Sequence, residues 1–212
     1  MKTYSFDEII GMEKRFRTTF INTISGFKSL NLVGTINNEG NTNLAVFNSV
    51  FHVGANPPYL GMVFRPDEVE RHTLENILVT KHYTLNHVHP GIIRAAHQTS
   101  ARYPKNISEF NATGLTEEFT QNHIAPYVKE SNVKIGLEFT EKIPVKINNT
   151  TIVIGKIKEI ILNEEAVKTD GFVDIEQLKT STVAGLDAYY TVSKIERLSY
   201  AKADIAVSKI TE

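Results

Sequence analysis

The chain has 212 residues, of which 41% are hydrophobic and 22% charged, as expected for one folded globular domain of ordinary size. Lys and Arg number 23 against 24 Asp and Glu, so a formal net charge of −1 excludes a global field that would attract nucleic acid or anionic membrane. Cys is absent, which excludes disulfides, thiolate nucleophiles and Cys-ligated metal centres. Residues 1–11 contain Asp7 and Glu8 and lack the apolar run of a signal peptide, so we expect a cytoplasmic protein.

The first predicted elements are three strands in close succession. Residues 30–36 alternate apolar and polar at their start, and the Asn- and Gly-rich segment 37–41 that follows predicts a hairpin turn. Apolar density returns over 44–53, is interrupted by 54–58 with its two prolines, and resumes over 59–64. These patterns predict consecutive β-strands.

Helical spacing then replaces the β pattern. Residues 71–80 place Leu74, Ile77 and Leu78 on one face, and Thr73 is positioned as an N-cap. Residues 82–89 predict another strand. Small and apolar residues over 91–101 predict a second helix, which ends before Tyr103-Pro104.

The second half of the chain predicts long strands. Residues 133–141 and 150–162 are rich in branched side chains and are separated by Ile143-Pro144 and an Asn148-Asn149 turn. Residues 174–179 predict one or two helical turns. About eight strands without β-α-β alternation favour a closed or partly closed antiparallel barrel, and no repeat or linker divides residues 1–212.

Several common site motifs are absent. The sequence lacks the Rossmann glycine fingerprint, the P-loop, the Gly-x-Ser-x-Gly elbow and His-Glu-x-x-His. His82, His87 and His89 are close in sequence, but on a strand only His87 and His89 share a face. Without Cys, a hydrogen-bonding role is favoured over metal binding for these histidines.

An ordered series of short motifs resembles the flavin reductase-like family, which has the FMN-binding split-barrel fold. The first is Asn41 to Val53, which begins polar after a turn and contains Asn43-Leu44-Ala45 and Ser49. The others are Asn56-Pro57-Pro58, Arg71-His72-Thr73-Leu74-Glu75-Asn76-Ile77, Leu85-Asn86-His87-Val88, Thr99-Ser100, Ser108-Glu109-Phe110, Gly114-Leu115 and Gly185-Leu186-Asp187-Ala188-Tyr189-Tyr190. Three positions differ from the family pattern, because Asn56 and His72 replace Asp and Leu186 replaces Gly.

The resemblance implies an antiparallel Greek-key split β-barrel with short inserted helices. It also implies a homodimer with two FMN sites at the subunit interface and hydride supplied by NADH or NADPH. A monooxygenase or another electron acceptor would be a partner, and neither nucleic acid nor membrane would be.

The chemistry of the residues is compatible with FMN. The phosphate is nearly a dianion, and without a P-loop it must be held by cationic groups, hydroxyls and backbone N–H groups at a helix start. Arg65, Arg71, His72 and Thr73 supply these groups at one strand end and one helix start. They are the predicted phosphate ligands.

The isoalloxazine ring requires an apolar slot with a few polar atoms at its edge. A strand that mixes Asn43, Asn48 and Ser49 with apolar residues offers both, with backbone amides contributing. The further candidates, apolar and polar, are Leu44, Ala45, Val50, Asn86, His87, Thr99 and Ser100.

Each of these assignments has a structural alternative. Asn43 could close only the 37–41 turn, and Ser49 could form only a cross-strand hydrogen bond. Thr73 could be only an N-cap and Arg71 only a solvated charge, although their clustering with other phosphate candidates favours a binding role.

Two later motifs are expected to be structural. Residues 108–110 predict a loop with a buried Phe, and Tyr189 and Tyr190 are expected in the core or at an interface. We therefore assign them no cofactor role.

The leading hypothesis is an FMN-dependent NAD(P)H oxidoreductase, specifically a flavin reductase. Hydride transfer is the chemistry of the cofactor, so it requires no general acid or base from the protein. A flavin-binding, flavin-storage or electron-carrier protein of the same fold is the alternative. A barrel that binds pyridoxal phosphate or haem is a third possibility.

Overall fold

A computed structural model describes residues 1–66 and 72–210. The helices are α1 Phe6–Gly11, α2 Lys14–Ile24, α3 His72–Thr80, α4 Ile93–Gln98 and α5 Glu109–Thr113, with 3-10 turns at Pro90–Ile92 and Glu164–Ala166. The strands are β1 Lys28–Ser29, β2 Asn31–Ile36, β3 Thr42–Phe47, β4 Val50–Ala55, β5 Pro58–Phe64, β6 His82–His87, β7 Glu117–Glu118, β8 Tyr127–Val128, β9 Val133–Val145, β10 Thr150–Leu162, β11 Thr182–Ala184 and β12 Ala188–Tyr190.

Seven strands form one antiparallel sheet in the order β3-β2-β6-β9-β10-β5-β4. The two edge strands, β3 and β4, are consecutive in the chain and are separated only by Asn48 and Ser49. The sheet therefore curves until its two edges meet at these two residues, and it forms a barrel that is split there. The predicted antiparallel split barrel with short inserted helices is confirmed.

Strand β2 is buried on both faces because helices and loops cover the barrel wall. Leu32 packs in one apolar cluster and Val33 in another, on opposite sides of the strand. Its polar residues are buried as well: Asn31 is 2% exposed, and Thr35 accepts a hydrogen bond from Asn76 Nδ2 at 3.1 Å. Polar residues in this strand mark contacts with neighbouring elements and do not mark a solvent face.

Helices pack on both sides of the sheet near the split. Leu74 and Ile77 of α3 pack in the apolar cluster that contains Val33 of β2 and Phe64 of β5. Ala96 of α4 and Phe110 of α5 join the cluster on the other side, as expected for a buried Phe at that position. This packing places the start of α3 and the end of α4 beside β3.

A small sheet in the order β1-β11-β12 lies next to the split. Its turn contains Gly185 at φ +62, a conformation that side chains disfavour. The Gly185 carbonyl accepts hydrogen bonds from Asn48 Nδ2 at 2.9 Å and Lys28 Nζ at 3.5 Å. The hairpin is thereby attached to the junction of the two sheet edges.

Several sequence expectations differ from the structure. The expected strand 44–53 is two strands, and β9 continues through Pro144 to Val145. Residues 174–179 form turns where one or two helical turns were expected. The helix expected over 91–101 is a 3-10 turn followed by the short α4, and Thr73 lies inside α3 instead of at its N-cap.

The sequence patterns also missed some elements. The described residues contain twelve strands where about eight were expected, because β1, β7, β8, β11 and β12 have only two or three residues each. Helices α1 and α2 were not predicted. None of the helices in the described ranges has the length and apolar content of a membrane span.

Candidate functional site

A cleft of about 880 Å³ opens where the barrel is split. Strand β3, the Asn48-Ser49 junction and the end of β5 form one side of this cleft, and α3, α4 and the β11–β12 hairpin complete it. The predicted site residues that line it are Asn43, Ala45, Asn48, Ser49, Arg65, His72, Thr73, Thr99 and Ser100. Most of the predicted site residues described by the structure are therefore brought together.

The outer edge of β3 presents backbone groups to the cleft. The Leu44 N–H donates to Glu109 Oε2 at 2.9 Å, so it points away from the neighbouring strand β2. Because backbone direction alternates along an antiparallel strand, Val46 also turns its N–H and C=O away from β2. Val46 lines the cleft, which gives the cleft a backbone donor and acceptor between apolar side chains.

One end of the cleft combines a helix start with basic side chains. Thr73 is buried near the start of α3, and its Oγ1 accepts a hydrogen bond from Asn43 Nδ2 at 3.0 Å. The Thr73 hydroxyl keeps its own proton to donate. His72 and the exposed Arg65 line the same cleft. Arg71, predicted to belong to this group, lies outside the described residues.

The junction of the sheet edges is fixed by side-chain hydrogen bonds. Ser49 Oγ donates to the Val63 carbonyl at 2.8 Å and accepts from the Val63 N–H at 3.3 Å. This is the cross-strand bond considered as an alternative for Ser49, and it occurs in a residue that also lines the cleft. Asn48 binds the Gly185 carbonyl of the facing hairpin. These two residues hold both walls of the cleft at a fixed separation.

Asn43 does not close the 37–41 turn. Asn37 Oδ1 does so, accepting from the N–H groups of Glu39 and Asn41, both at 2.9 Å. Asn43 instead connects β3 to α3 through Thr73. The turn alternative for Asn43 is therefore wrong.

Glu109 is a buried carboxylate in the cleft wall. It is 7% exposed, and burial raises its pKa, while the Leu44 N–H, its own backbone and the nearby His72 act in the opposite direction. The sequence pattern predicts a structural role for residues 108–110. The motif containing Glu109 was recognised, but only the packing of α5 against β3 brings this carboxylate to the cleft.

The facing wall contains a second polar pair that the sequence did not reveal. His97 Nδ1 of α4 and Tyr189 Oη of β12 are 2.5 Å apart, and their rings meet edge to face with centroids 5.7 Å apart. Burial and the charge of Asp187 raise the pKa of Tyr189. Arg102 also lines this side. His97 and Tyr189 are separated by 92 positions in the chain, so no local pattern could predict their contact.

Four predicted residues lie outside the lining of the cleft. Leu44 and Val50 direct their side chains to the apolar clusters. Asn86 is fully buried, with Nδ2 donating to the Leu32 carbonyl and Oδ1 accepting from the Val128 N–H. His87 contacts Thr180 through Nδ1, and burial lowers its pKa to about 4. These side chains support the sheet behind the cleft.

The three clustered histidines diverge. The ring of His82 contacts that of His123, whereas His89 Nε2 contacts the Glu130 carbonyl at 3.1 Å. Within residues 1–66 and 72–210, no group of three or more His, Asp or Glu side chains is arranged to hold a metal ion.

Comparison with known proteins agrees with the fold. Residues 27–178 match the model of the flavin reductase like domain, so the chain belongs to the flavin reductase-like family. A solved structure of a proposed flavin reductase with a split barrel domain from Shewanella frigidimarina NCIMB 400 is 49% identical. It superposes with a TM-score of 0.91, and the match covers 95% of this chain and all of that one.

More distant structures share the fold. Nitrilotriacetate monooxygenase component B from Bacillus cereus has a TM-score of 0.81 and 20% identity, covering 93% of this chain and 98% of that chain. Flavoredoxin of Desulfovibrio vulgaris (Miyazaki F) has a TM-score of 0.69 and 24% identity, covering 85% and 92%. The family membership and the nearer match identify the chain as a flavin reductase-like protein with oxidoreductase chemistry.

Proposed function

We propose that this protein is an FMN-dependent NAD(P)H oxidoreductase that acts as a flavin reductase. The observation that carries the proposal is the cleft at the split of the barrel, where an open strand edge and a basic helix start face the same space. A flavin nucleotide requires both features, because it combines a flat ring with a hydrogen-bonding edge and a phosphate.

The phosphate would be held by His72, Thr73 and Arg65, together with the N–H groups at the start of α3. The helix dipole favours negative charge at this end, and charged hydrogen bonds to phosphate are the stronger kind. Thr99 and Ser100 at the end of α4 would contact the ribityl chain, because both residues line the cleft. Arg71 remains a predicted member of this group.

The ring would lie along the outer edge of β3. The Val46 N–H and C=O can meet its polar edge, while Ala45 and Phe47 provide apolar contact. Asn48 and Ser49 hold the edges of the slot through their bonds to Gly185 and Val63. This donor set fits a flavin without any further polar side chain.

FMN bound there would supply the acceptor for a hydride from the nicotinamide of NADH or NADPH. The contribution of the chain is placement: it orients the ring, fixes the phosphate and limits access of water to one open face. No residue is assigned as a catalytic acid or base, because hydride transfer does not require one. Electrons would then pass to a partner such as a monooxygenase or another acceptor, and the protein would function as a homodimer.

Flavin binding and reduction of the bound flavin by NADH or NADPH test this function. We expect FMN to bind more tightly than riboflavin, and NADH or NADPH to bleach the flavin absorption band in stopped-flow experiments. Arg65→Ala should weaken FMN binding by about 10- to 100-fold, the scale of one charged hydrogen bond, and should hardly affect riboflavin.

Arg94→Ala is the matched control, because Arg94 is an exposed arginine on α4 that does not line the cleft. Equal losses for FMN and riboflavin in Arg65→Ala would contradict the phosphate assignment. Tight flavin binding with no reduction by either nicotinamide would instead support a flavin-storage or electron-carrier protein. An absorption spectrum typical of pyridoxal phosphate or haem would exclude the flavin proposal altogether.

A further inference from the structure

The cleft contains a polar pair that the proposed reduction of flavin by a nicotinamide does not use. His97 lies in the last turn of α4 and Tyr189 lies in β12, and both residues line the cleft. His97 Nδ1 and Tyr189 Oη are 2.5 Å apart, within hydrogen-bond distance. This contact places two groups that can transfer protons in the wall of a ligand cleft.

The geometry of the pair leaves one proton for a bound molecule. A phenol hydroxyl accepts a hydrogen bond and still donates its own proton, so Tyr189 can accept from His97 Nδ1–H and donate into the cleft. The rings meet edge to face at 89°, with centroids 5.7 Å apart, which fixes the direction of the phenol ring. His97 is exposed and Tyr189 is half-buried. The pair therefore connects water outside the cleft with a donor on its inner wall.

The surroundings of Tyr189 keep its hydroxyl protonated until a basic oxygen is present. Burial, together with the charge of Asp187, raises the pKa of Tyr189, so the hydroxyl is not ionised at neutral pH. A raised pKa also means that the proton passes only to a strongly basic oxygen. Arg102 lines the same cleft and is a permanent cation, which stabilises negative charge that develops on an oxygen there. A carbonyl oxygen that receives electrons gains both charge and basicity.

The acceptor that matches this pair is a flat, neutral carbonyl compound. Transfer of a hydride from nicotinamide to flavin needs no proton donor, but two electrons turn the oxygens of a neutral acceptor into bases. A quinone takes up one hydride and one proton without losing an atom. Leu30 and Val183, against whose cluster Tyr189 packs, give the cleft apolar lining for its ring. The cleft volume of about 880 Å³ lies near the upper end of the roughly 300 to 1,000 Å³ of ligand sites, as two stacked rings require.

We propose that the cleft reduces a quinone directly, with Tyr189 as the proton donor to a quinone oxygen and His97 as the residue that positions and reprotonates it. The inference rests on the proposed flavin reductase function and names the class of acceptor to which its electrons pass. Because the nicotinamide and the quinone would both stack on the open face of the flavin, they bind in turn, and ping-pong kinetics follow.

The step transfers one hydride and one proton to the quinone. The anionic reduced flavin gives a hydride, which carries two electrons, to one quinone oxygen, so that an N–H bond breaks and an O–H bond forms. Tyr189 gives its hydroxyl proton to the other oxygen, so a hydroquinone leaves and the flavin is oxidised. His97 then returns a proton to the Tyr189 oxygen and recovers its own from water.

Anaerobic stopped-flow mixing measures each half of the reaction separately. Bound FMN is first reduced with NADH or NADPH, and the reduced protein is then mixed with a water-soluble benzoquinone or with ferricyanide, which accepts electrons without a proton. We expect Tyr189→Phe to slow reoxidation by the quinone by about 100-fold. Flavin reduction and reoxidation by ferricyanide should change by less than about threefold. Tyr190→Phe is the matched control, because Tyr190 is an exposed neighbour in the same strand that lies outside the cleft lining.

Variants of His97 separate its hydrogen bond from its proton. His97→Asn keeps a donor near the position of Nδ1 but cannot relay a proton, so the limiting rate with the quinone should fall about tenfold at an unchanged half-saturating concentration. His97→Leu removes the hydrogen bond as well and should slow the quinone reaction further, with the ferricyanide rate unchanged. Near-ultraviolet circular dichroism shows whether each variant is folded, and the His97 variants test the relay if Tyr189→Phe is not.

Histidine NMR of the flavin-free protein provides a readout that is independent of turnover. At about pH 8 we expect His97 to carry its proton on Nδ1 in the wild type and to lose this preference in Tyr189→Phe. A proton on Nε2 alone would mean that Tyr189 donates to the imidazole, and this would overturn the relay.

The remaining outcomes separate this inference from the proposed function. Equal slowing of quinone and ferricyanide reoxidation in Tyr189→Phe, or slower flavin reduction, would overturn the role of Tyr189 as proton donor. Reduced wild-type protein that is oxidised by ferricyanide but not by the quinone would reject the acceptor class and leave the flavin function standing. Absence of flavin binding, or of reduction by either nicotinamide, would reject the proposed function and this inference with it.

Discussion

Asn43 of β3 donates from Nδ2 to Oγ1 of Thr73 in α3 at 3.0 Å, and both side chains are buried. This bond connects the edge strand of the barrel to the helix start at one end of the cleft. Since an unpaired buried amide is costly, the bond fixes the direction in which the Thr73 hydroxyl can donate. It therefore connects the stability of the fold with the geometry of the proposed phosphate site.

Thr73→Val removes the hydroxyl and nearly preserves the shape of the side chain. We expect a stability loss of about 1 to 3 kcal/mol, because Asn43 Nδ2 becomes unpaired. FMN affinity should fall by about 3- to 10-fold more than riboflavin affinity. Thr80→Val is the control, because Thr80 donates to the Asn76 carbonyl in the same helix away from the cleft lining. Calorimetric titration measures the affinity for each ligand. Equal losses of FMN and riboflavin affinity would contradict the prediction.

Glu109→Gln removes a negative charge from the cleft wall but retains an oxygen that can accept from the Leu44 N–H. We expect FMN affinity at about pH 8 to rise by about 3- to 10-fold, because repulsion of the phosphate is relieved. Riboflavin affinity should stay constant. Fluorescence titration measures both values, and a similar change for the two ligands would show that Glu109 acts only through the backbone of β3.

Asn48→Ala releases the Gly185 carbonyl and frees the hairpin wall of the cleft. We expect FMN and riboflavin affinities to fall together by about tenfold, because in the proposed binding mode the wall would contact the ring of the ligand and not its phosphate. Asn132→Ala is the matched control, since Asn132 Nδ2 donates to the Leu178 carbonyl at 3.0 Å away from the cleft. A loss restricted to FMN would place the phosphate at the split instead of at α3.

The pH dependence of stability should reveal His87. Burial lowers its pKa from 6.5 to about 4, so the folded state binds a proton less readily than the unfolded state. The stabilisation is complete above about pH 6.5 and is lost as the pH falls through 4, a change of about 2 to 3 kcal/mol. Denaturant unfolding measures the free energy of unfolding from about pH 7 to pH 4. Its slope against pH should be smaller for His87→Gln than for the wild type.

The exposed His52 provides the control for this measurement, because His52→Gln should keep the wild-type slope. His123 contributes in the same direction as His87, since burial also lowers its pKa. Glu109 contributes with the opposite sign, because a raised carboxyl pKa adds stability at low pH that is lost as the pH rises. An unchanged slope in His87→Gln would show that this imidazole is not the group protected from protonation.

Local chemistry predicted the hairpins well and the junction of the barrel poorly. The 37–41 turn and the strand Thr150–Leu162 were correct, because turn residues and branched runs act over a few positions. The break at Asn48-Ser49 was missed because apolar density continues across it. That bend arises from closure of the sheet, which depends on strands distant in the sequence.

The candidate site shows the same division. The ordered short motifs predicted Asn43, Ser49 and Thr73 as site residues, and all three line the cleft. The His97–Tyr189 contact and the cleft position of Glu109 could not be predicted, because each depends on how separate elements pack. Asn86 carried the same motif support, but its side chain satisfies neighbouring backbone groups inside the barrel.

The open edge of β3 has a consequence for aggregation of the protein. An exposed strand edge is a template on which another extended chain can pair, and Glu109 protects only the Leu44 N–H. Val46, two residues further along, keeps its backbone groups directed outward. A ligand lying on this edge would cover it, so we expect flavin to delay aggregation on heating by shielding the strand as well as by stabilising the native state.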